Sequence, residues 1–145
     1  MSGIKSANTR PEMIIRRGLH ARGYRYRLHV RSLPGTPDMV FPARRAVIFV
    51  HGCFWHGHDC SLFKLPATNS AFWEAKIAAN QSRDVAAASA LTQAGWRVLN
   101  VWECAVRGRY RQPLVVVLDQ VARWLVDDGV ALDLSEDQLG STRRS

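Results

Sequence analysis

The chain has 145 residues, with 20 Lys and Arg against 12 Asp and Glu, a net charge of +8 and a pI of about 10.3. That length fits one domain able to bury a core without disulfides. No apolar run approaches the roughly 20 residues that span a bilayer, and residues 1–8 carry no apolar export signal. A cytoplasmic protein with no membrane partner is therefore expected, and the positive charge points to a polyanion such as DNA.

Residues 1–8 read as a flexible leader and 9–132 as a single domain, with 133–145 a polar tail expected to be disordered. Thr9-Arg10-Pro11-Glu12 has the form of a capping box, with proline tolerated in the first turn. The helix it opens runs to about Ala21, with Met13, Ile14 and Leu19 on its apolar side, and Gly23 stops it. Residues 24–30 alternate strictly, which predicts a strand with Tyr24, Tyr26, Leu28 and Val30 on one face and Arg25, Arg27 and His29 on the other. The turn at 33–37 leads to a short strand at 38–41, and Arg44-Arg45 marks a further turn. Ala46-Val47-Ile48-Phe49-Val50 is continuously apolar, as in a strand buried on both faces. Residues 51–69 are irregular. A long helix follows over about 70–94, with Trp73, Ile77, Val85, Ala88 and Leu91 on its inner side. A strand at 96–102 and a helix from about Pro113, with Leu114, Val117, Leu118, Val121 and Leu125 at helical spacing, complete an α/β domain.

A metal would account for all three cysteines, the other reading being reduced buried cysteines beside solvent-facing histidines. Cys53, His58 and Cys60 lie within one short loop, and Cys104 follows the strand at 96–102. If that strand lies beside 46–50, the four supply a closed tetrahedral Cys3His set, the pattern of structural zinc. An odd number of cysteines without an export signal argues against a disulfide framework.

A second site is suggested by Asp38 at a strand start, because a carboxylate beside a backbone carbonyl of the next strand can hold Mg²⁺. Such an ion can stabilise charge on a phosphodiester, and His56 or His51 is near enough in sequence to act as general base. Phe54 and Trp55, in the loop between metal ligands, are expected to be exposed and able to unstack bases, whereas Phe72 is expected in the core. Arg16, Arg17, Arg25, Arg27, Arg44, Arg45, Lys64 and Arg83 are candidates for phosphate contacts.

Several segments together resemble one family. These are Leu33-Pro34-Gly35-Thr36-Pro37-Asp38, the run from Ile48 through His51-Gly52-Cys53-Phe54-Trp55-His56-Gly57-His58-Asp59-Cys60, Phe72-Trp73 with Lys76, Asn80, Arg83 and Asp84, then Gly95-Trp96-Arg97-Val98 and Trp102-Glu103-Cys104. They are similar to the very-short-patch repair (Vsr) endonucleases, from about Thr9 to Arg107. The resemblance implies a restriction-endonuclease-like mixed sheet flanked by helices, with a structural zinc on Cys53, His58, Cys60 and Cys104. It implies double-stranded DNA with a T:G mismatch, left by deamination of 5-methylcytosine, as substrate, nicked 5′ to the thymine. Asp38 would bind magnesium with the Val50 carbonyl, His56 would be the catalytic histidine, and Glu12 and His51 would support it. Phe54, Trp55 and Trp73 would wedge into the DNA, with Lys76, Asn80 and Arg83 also in contact. A monomer is implied, nucleoid-associated when acting and functionally linked to a DNA cytosine methyltransferase and mismatch-repair proteins. Where relatives carry Thr, this chain has Val50, and the acid-x-lysine pair of typical restriction-like nucleases is missing from Phe49-Val50-His51. Two other readings compete: a nuclease of the same fold acting on other DNA, and a non-enzymatic zinc module that binds DNA.

Overall fold

Residues 8–127 and 129–136 of a computed structural model are described, beginning with helix α1 (Arg10–Ala21). The Thr9 hydroxyl caps it by accepting the Glu12 N–H at 3.4 Å, and Pro11 sits in the first turn, where an N–H would have no partner. Glu12 reaches one residue further back than a capping box requires, accepting the Asn8 N–H at 2.8 Å. The buried side of α1 is Ile15 and Leu19, while Met13 and Ile14 are only half-buried.

After α1 come strands β1 (Arg27–Leu28), β2 (Met39–Phe41) and β3 (Ala46–His51), then helix α2 (Ser70–Gln93) and strand β4 (Arg97–Trp102). The short helix α3 (Glu103–Val106), helix α4 (Leu114–Val126) and strand β5 (Ala131–Leu134) close the chain. The five strands lie side by side in chain order. The β1–β2 and β2–β3 pairs are antiparallel, whereas β3–β4 and β4–β5 are parallel. A parallel pair needs a crossover, and α2 and α4 provide the two that the sheet requires.

Both faces of the sheet are covered, which is why β3 reads as an unbroken apolar run. Ala46 and Ile48 pack with Leu99 and Val101 against α1 and α4, through Ile15, Leu19, Val117, Val121 and Leu125. Val47 and Phe49 pack on the opposite face with Val98 and with Leu91 of α2. α1 and α4 approach closely at Gly18, where a Cβ would lie 2.5 Å from a methyl of Leu118. The alternation sends Val50 to the α1/α4 face and His51 to the α2 face. His51 pairs with Trp102 in the parallel register, so the chain leaves β3 and β4 at the same end of the sheet. That end, outside the carboxyl termini of parallel strands, is where open α/β sheets gather functional groups.

Several expectations are corrected. The strand at 24–30 shrinks to Arg27–Leu28, because Tyr24 still bonds back to Leu19 and His29 takes a φ of +48° that breaks the alternation. Tyr24 and Tyr26 pack together on the α1/α4 core, but Leu28 is exposed, Val30 packs with the core on the opposite face of the sheet, and His29 is half-buried. Val85 is 70% exposed and Phe72 58% exposed, so neither belongs to the inner side of α2. The boundary at 132 falls too early: β5 runs to Leu134, which is buried, and Glu136 is buried after it. Its cause is a parallel edge strand so short that its period cannot be read from sequence. Residues 1–7 of the expected leader and 137–145 of the expected tail lie outside the described residues. Among the described residues, no helix is long and apolar enough to cross a membrane.

Candidate functional site

Three side-chain clusters gather around the end of β3. In the first, the ligand atoms of Cys53, His58, Cys60 and Cys104 all lie within 4.8 Å of one another. Cys53 follows β3 directly, and Cys104 follows β4. The intervening loop is wound tightly by His56 N–H to Gly52 O, Gly57 N–H to Phe54 O and His58 N–H to Cys53 O bonds of 2.9–3.3 Å. Gly57 permits this at φ +60°, and a Cβ there would lie 2.6 Å from Ile77 and Gln81 of α2. His58 Nδ1 stands 3.7 Å from Cys53 Sγ and 3.6 Å from Cys104 Sγ. A tetrahedral ion bound at about 2.3 Å to sulfur and 2.0 Å to nitrogen sets S···N edges of about 3.5 Å, so spacing and donor chemistry both fit a thiophilic divalent metal. Backbone N–H groups of Cys104 and Glu136 donate to Cys53 Sγ and Cys104 Sγ at 3.3 and 3.2 Å, as suits thiolates. A hydrogen bond from the Cys53 thiol pulls Cys104 down to about 5, and the same bond, with burial, pushes Cys53 up.

The second cluster is His51, His56 and Asp84, again within 4.8 Å. His56 Nδ1 makes a short bond to the Asp84 carboxylate. Asp84 comes from α2, one turn beyond Asn80 and Gln81. The Asn80 amide donates to Trp55 O at 2.8 Å and Gln81 donates to His56 O at 3.1 Å. One stripe of α2 therefore grips the backbone of the loop and the imidazole it presents. His51 is 8% exposed, lies flat on Phe49, and has its ring 4.5 Å from that of His56. Its Nε2 pairs with Asn100 Oδ1 at 2.8 Å, and the Asn100 amide donates to Asp133 of β5 at 2.9 Å. Burial, then the neighbouring His56, lowers His51 to about 4, so it is neutral at neutral pH. Trp102 joins the first two clusters, stacking on His58 at 4.1 Å and 8° and standing 4.7 Å from His51.

The third cluster is Glu12, His29 and Asp38. Asp38 Oδ2 accepts the Val50 N–H at 2.7 Å, which ties β2 to the end of β3. Glu12, 1% exposed, binds Arg16 at 3.1 Å and His29 Nε2 at 2.6 Å. Asp38 is 8% exposed, and burial, opposed by the Val50 bond but reinforced by the Glu12 charge, raises its carboxyl to about 7. Two buried carboxylates with an imidazole beside them form an electron-rich donor set, mostly of hard oxygens, that a divalent cation would suit.

Residues expected to act together are thus divided. Asp38 and Glu12 meet on one face of β3, His51 and His56 on the other, and Val50 and His51 are the consecutive residues that join them. Val50 enters the Asp38 cluster through its amide N–H. Phe54 and Trp55 were expected to be exposed; they are half-buried, packed edge-on against each other and against Trp73 at ring distances of 4.9–5.6 Å. Phe72, exposed, extends that aromatic surface at 5.0 Å from Trp73. Arg83 bonds Asn80 at 2.5 Å and Lys76 is half-buried on the same helix. Arg44 and Arg45 stack on Tyr24 and Trp96, while Arg16 and Arg17 line a groove beside α1 and Arg10, Arg107 and Arg111 line a second. The sequence reading gave no role to His29, Asp84, Asn100 or Asp133. Asp84 was within reach, since with Ile77, Asn80 and Gln81 it falls on one helical stripe facing the loop.

The chain is also similar to known proteins. A family model described as DNA mismatch endonuclease Vsr matches residues 1–62. The chain is similar to the DNA mismatch endonuclease Vsr of Escherichia coli, 42% identical over 134 residues that cover 92% of this chain and 86% of that protein. It is similar to the type II nicking enzyme V.XorIIP of Xanthomonas oryzae pv. oryzae, 55% identical over 104 residues, 72% of this chain and 76% of that one. It is also similar to the type II nicking enzyme V.NmeAIP of Neisseria meningitidis, 38% identical over 109 residues, 75% and 78% of the two. Catalytic relatives along most of its length exclude a module that only binds DNA, and the chain belongs to the Vsr family of DNA mismatch endonucleases.

Proposed function

We propose that this protein nicks DNA 5′ to the thymine of a T:G mismatch, as arises when 5-methylcytosine deaminates, and so initiates very short patch repair. The observation that carries this reading is the joint placement of Phe54, Trp55 and His56 on one loop, fastened by the Cys/His cage on one side and α2 on the other. An aromatic surface that unstacks bases works at least cost where pairing is already weak. A proton acceptor fixed to the same loop is then positioned by the act of recognition.

Zinc is the ion we assign to Cys53, His58, Cys60 and Cys104, in a structural role. Magnesium would be held by Asp38 and the Val50 carbonyl, with Glu12 in support, and when bound would offset charge on the phosphodiester. His56, oriented by Asp84 at Nδ1, keeps Nε2 as the acceptor for the proton of the attacking water. His51, neutral and buried, holds His56 in place without competing for that proton. Arg10, Arg16, Arg17, Arg107 and Arg111 along the α1 grooves are suited to phosphates flanking the site. Phe54, Trp55 and Trp73 contact the mismatch, and Lys76, Asn80 and Arg83 line the same approach. A monomer in the bacterial cytoplasm, acting at the nucleoid on sites that a DNA cytosine methyltransferase modifies and alongside mismatch-repair proteins, accords with this role.

The test is single-turnover nicking of T:G and matched T:A duplexes of otherwise identical sequence. A preference of about 10²-fold for T:G is expected, the rate equivalent of the few kcal/mol saved on unstacking. Equal nicking of matched DNA would overturn the mismatch reading in favour of sequence-directed cutting, which the "type II nicking enzyme" names of two relatives bring to mind.

A further inference from the structure

His29 was expected on the strand face shared with Arg25 and Arg27, yet its imidazole turns inward between two buried carboxylates. Its φ of +48° makes this possible, by ending β1 and swinging the side chain toward α1. A positive φ is uncommon for a residue other than glycine and persists only where the surroundings enforce it. Glu12 from α1, His29 from the end of β1 and Asp38 from the start of β2 thereby aim one donor atom each at a common space, all within 4.8 Å.

His29 meets the two carboxylates at unequal distances. His29 Nε2 lies 2.6 Å from Glu12 Oε2 but 3.9 Å from Asp38 Oδ1. The longer gap exceeds hydrogen-bond range. The shorter one is a direct hydrogen bond, so an ion that took Nε2 would stand in place of the proton shared there. Glu12 has no need of His29 as a counter-charge, since Arg16 and the Asn8 N–H already bind it.

We infer that His29 is a direct ligand of the cation held at Asp38, so that the site is a mixed nitrogen–oxygen one that favours Mn²⁺ over Mg²⁺. The inference rests on the cation reading of Asp38 given above and adds to it a ligand and a metal preference. Imidazole is a borderline donor that transition metals accept and Mg²⁺ largely declines, so one nitrogen among carboxylates shifts selectivity toward Mn²⁺.

The experiment is Mn²⁺ titration of the full chain, with its Cys/His cage loaded with zinc, followed by electron spin-echo spectroscopy of the bound ion. Modulation from a directly bound imidazole nitrogen is expected in the unaltered protein and should vanish in His29→Gln. In that variant Mn²⁺ affinity should fall about tenfold or more, with Mg²⁺ affinity changed by less than about threefold. Bound Mn²⁺ that Asp38→Asn removes, but that shows no nitrogen coupling in the unaltered protein, would overturn the His29 ligand and leave the Asp38 site standing. Mn²⁺ binding indifferent to Asp38→Asn would remove the cation site and this inference together. The spectrum of the unaltered protein decides the point even if His29→Gln folds poorly.

Discussion

Val50 and His51 are neighbours in the chain, but the clusters they join tolerate opposite charges. On the α1 side, Asp38 and Glu12 concentrate carboxylates away from water, and burial, reinforced by the Glu12 charge, raises Asp38 well above the usual carboxylate range. On the α2 side, His51 is held neutral by burial, and the nearest carboxylate, Asp84, is bonded to His56. One cluster pairs two buried carboxylates with an imidazole, the set to which we assign a cation; the other pairs two imidazoles with a carboxylate, the set to which we assign the proton acceptor. The two differ in their scaffolding as well. Asp38 and Glu12 stand on β2 and α1, whereas His56 stands on a loop flanked by the Cys/His cluster and gripped by α2. On the proposed reading, charge handling and proton handling fall to separately supported elements that meet at one peptide bond.

The sharpest way to break this comparison is to remove the cage. Cys104→Ser, or zinc chelation, should release residues 52–60 and lower nicking by about 10⁴-fold, the full range of a lost general base. The Asp38 side should stay assembled. Hydrogen exchange is expected to show lost protection in the loop and retained protection of the Val50 N–H, whose partner is the Asp38 carboxylate. Simultaneous loss at both places would mean that the clusters share one support.

A smaller effect separates the proton acceptor from its orienting partner. His56→Ala should lower the rate constant for nicking about 10³-fold with DNA affinity unchanged. Asp84→Asn, which keeps a partner for Nδ1 but removes its charge, should lower it about 10–100-fold. If Asp84→Asn matched His56→Ala in full, Asp84 would be more than an orienting group.

How much of this the sequence disclosed depends on whether a residue's role is local. The Cys/His cluster was readable because three of its members sit in one short loop and the fourth follows a strand that pairs in parallel with β3. β3 was readable because burial on both faces writes itself as an apolar run. His29 was misplaced because alternation is a statement about φ and ψ, and a single residue at φ +48° cancels it without changing composition. Phe54 and Trp55 were expected to be exposed because their neighbours in sequence are polar, but their neighbours in space are Trp73 and Phe63. Asn100 and Asp133 escaped notice because each acts across strands, on a partner more than thirty residues away.

The two clusters should finally reveal themselves by opposite pH limbs in thermal stability, measured with zinc in the cage and no other divalent ion. Asp38 has a folded-state value of about 7, above its ordinary value of 3.8, so the fold favours its protonated form. Its contribution is fully present below about pH 4 and is lost as pH rises through about 7. His51 has a folded-state value of about 4, below its ordinary 6.5, so the fold favours the neutral ring. Its contribution is present above pH 6.5 and is lost as pH falls toward 4. Asp38→Asn should therefore flatten the decline on the alkaline side and His51→Gln the decline on the acid side, each by about 5 °C in Tm where the limb is steepest. Adding Mg²⁺ or Mn²⁺ should flatten the alkaline limb of the unaltered protein and leave the acid limb alone, because a cation satisfies the carboxylates and does nothing for a buried neutral imidazole. An alkaline limb that stays equally steep in Asp38→Asn would show that the charge strain lies on Glu12 instead, and would move the cation's main anchor from β2 to α1.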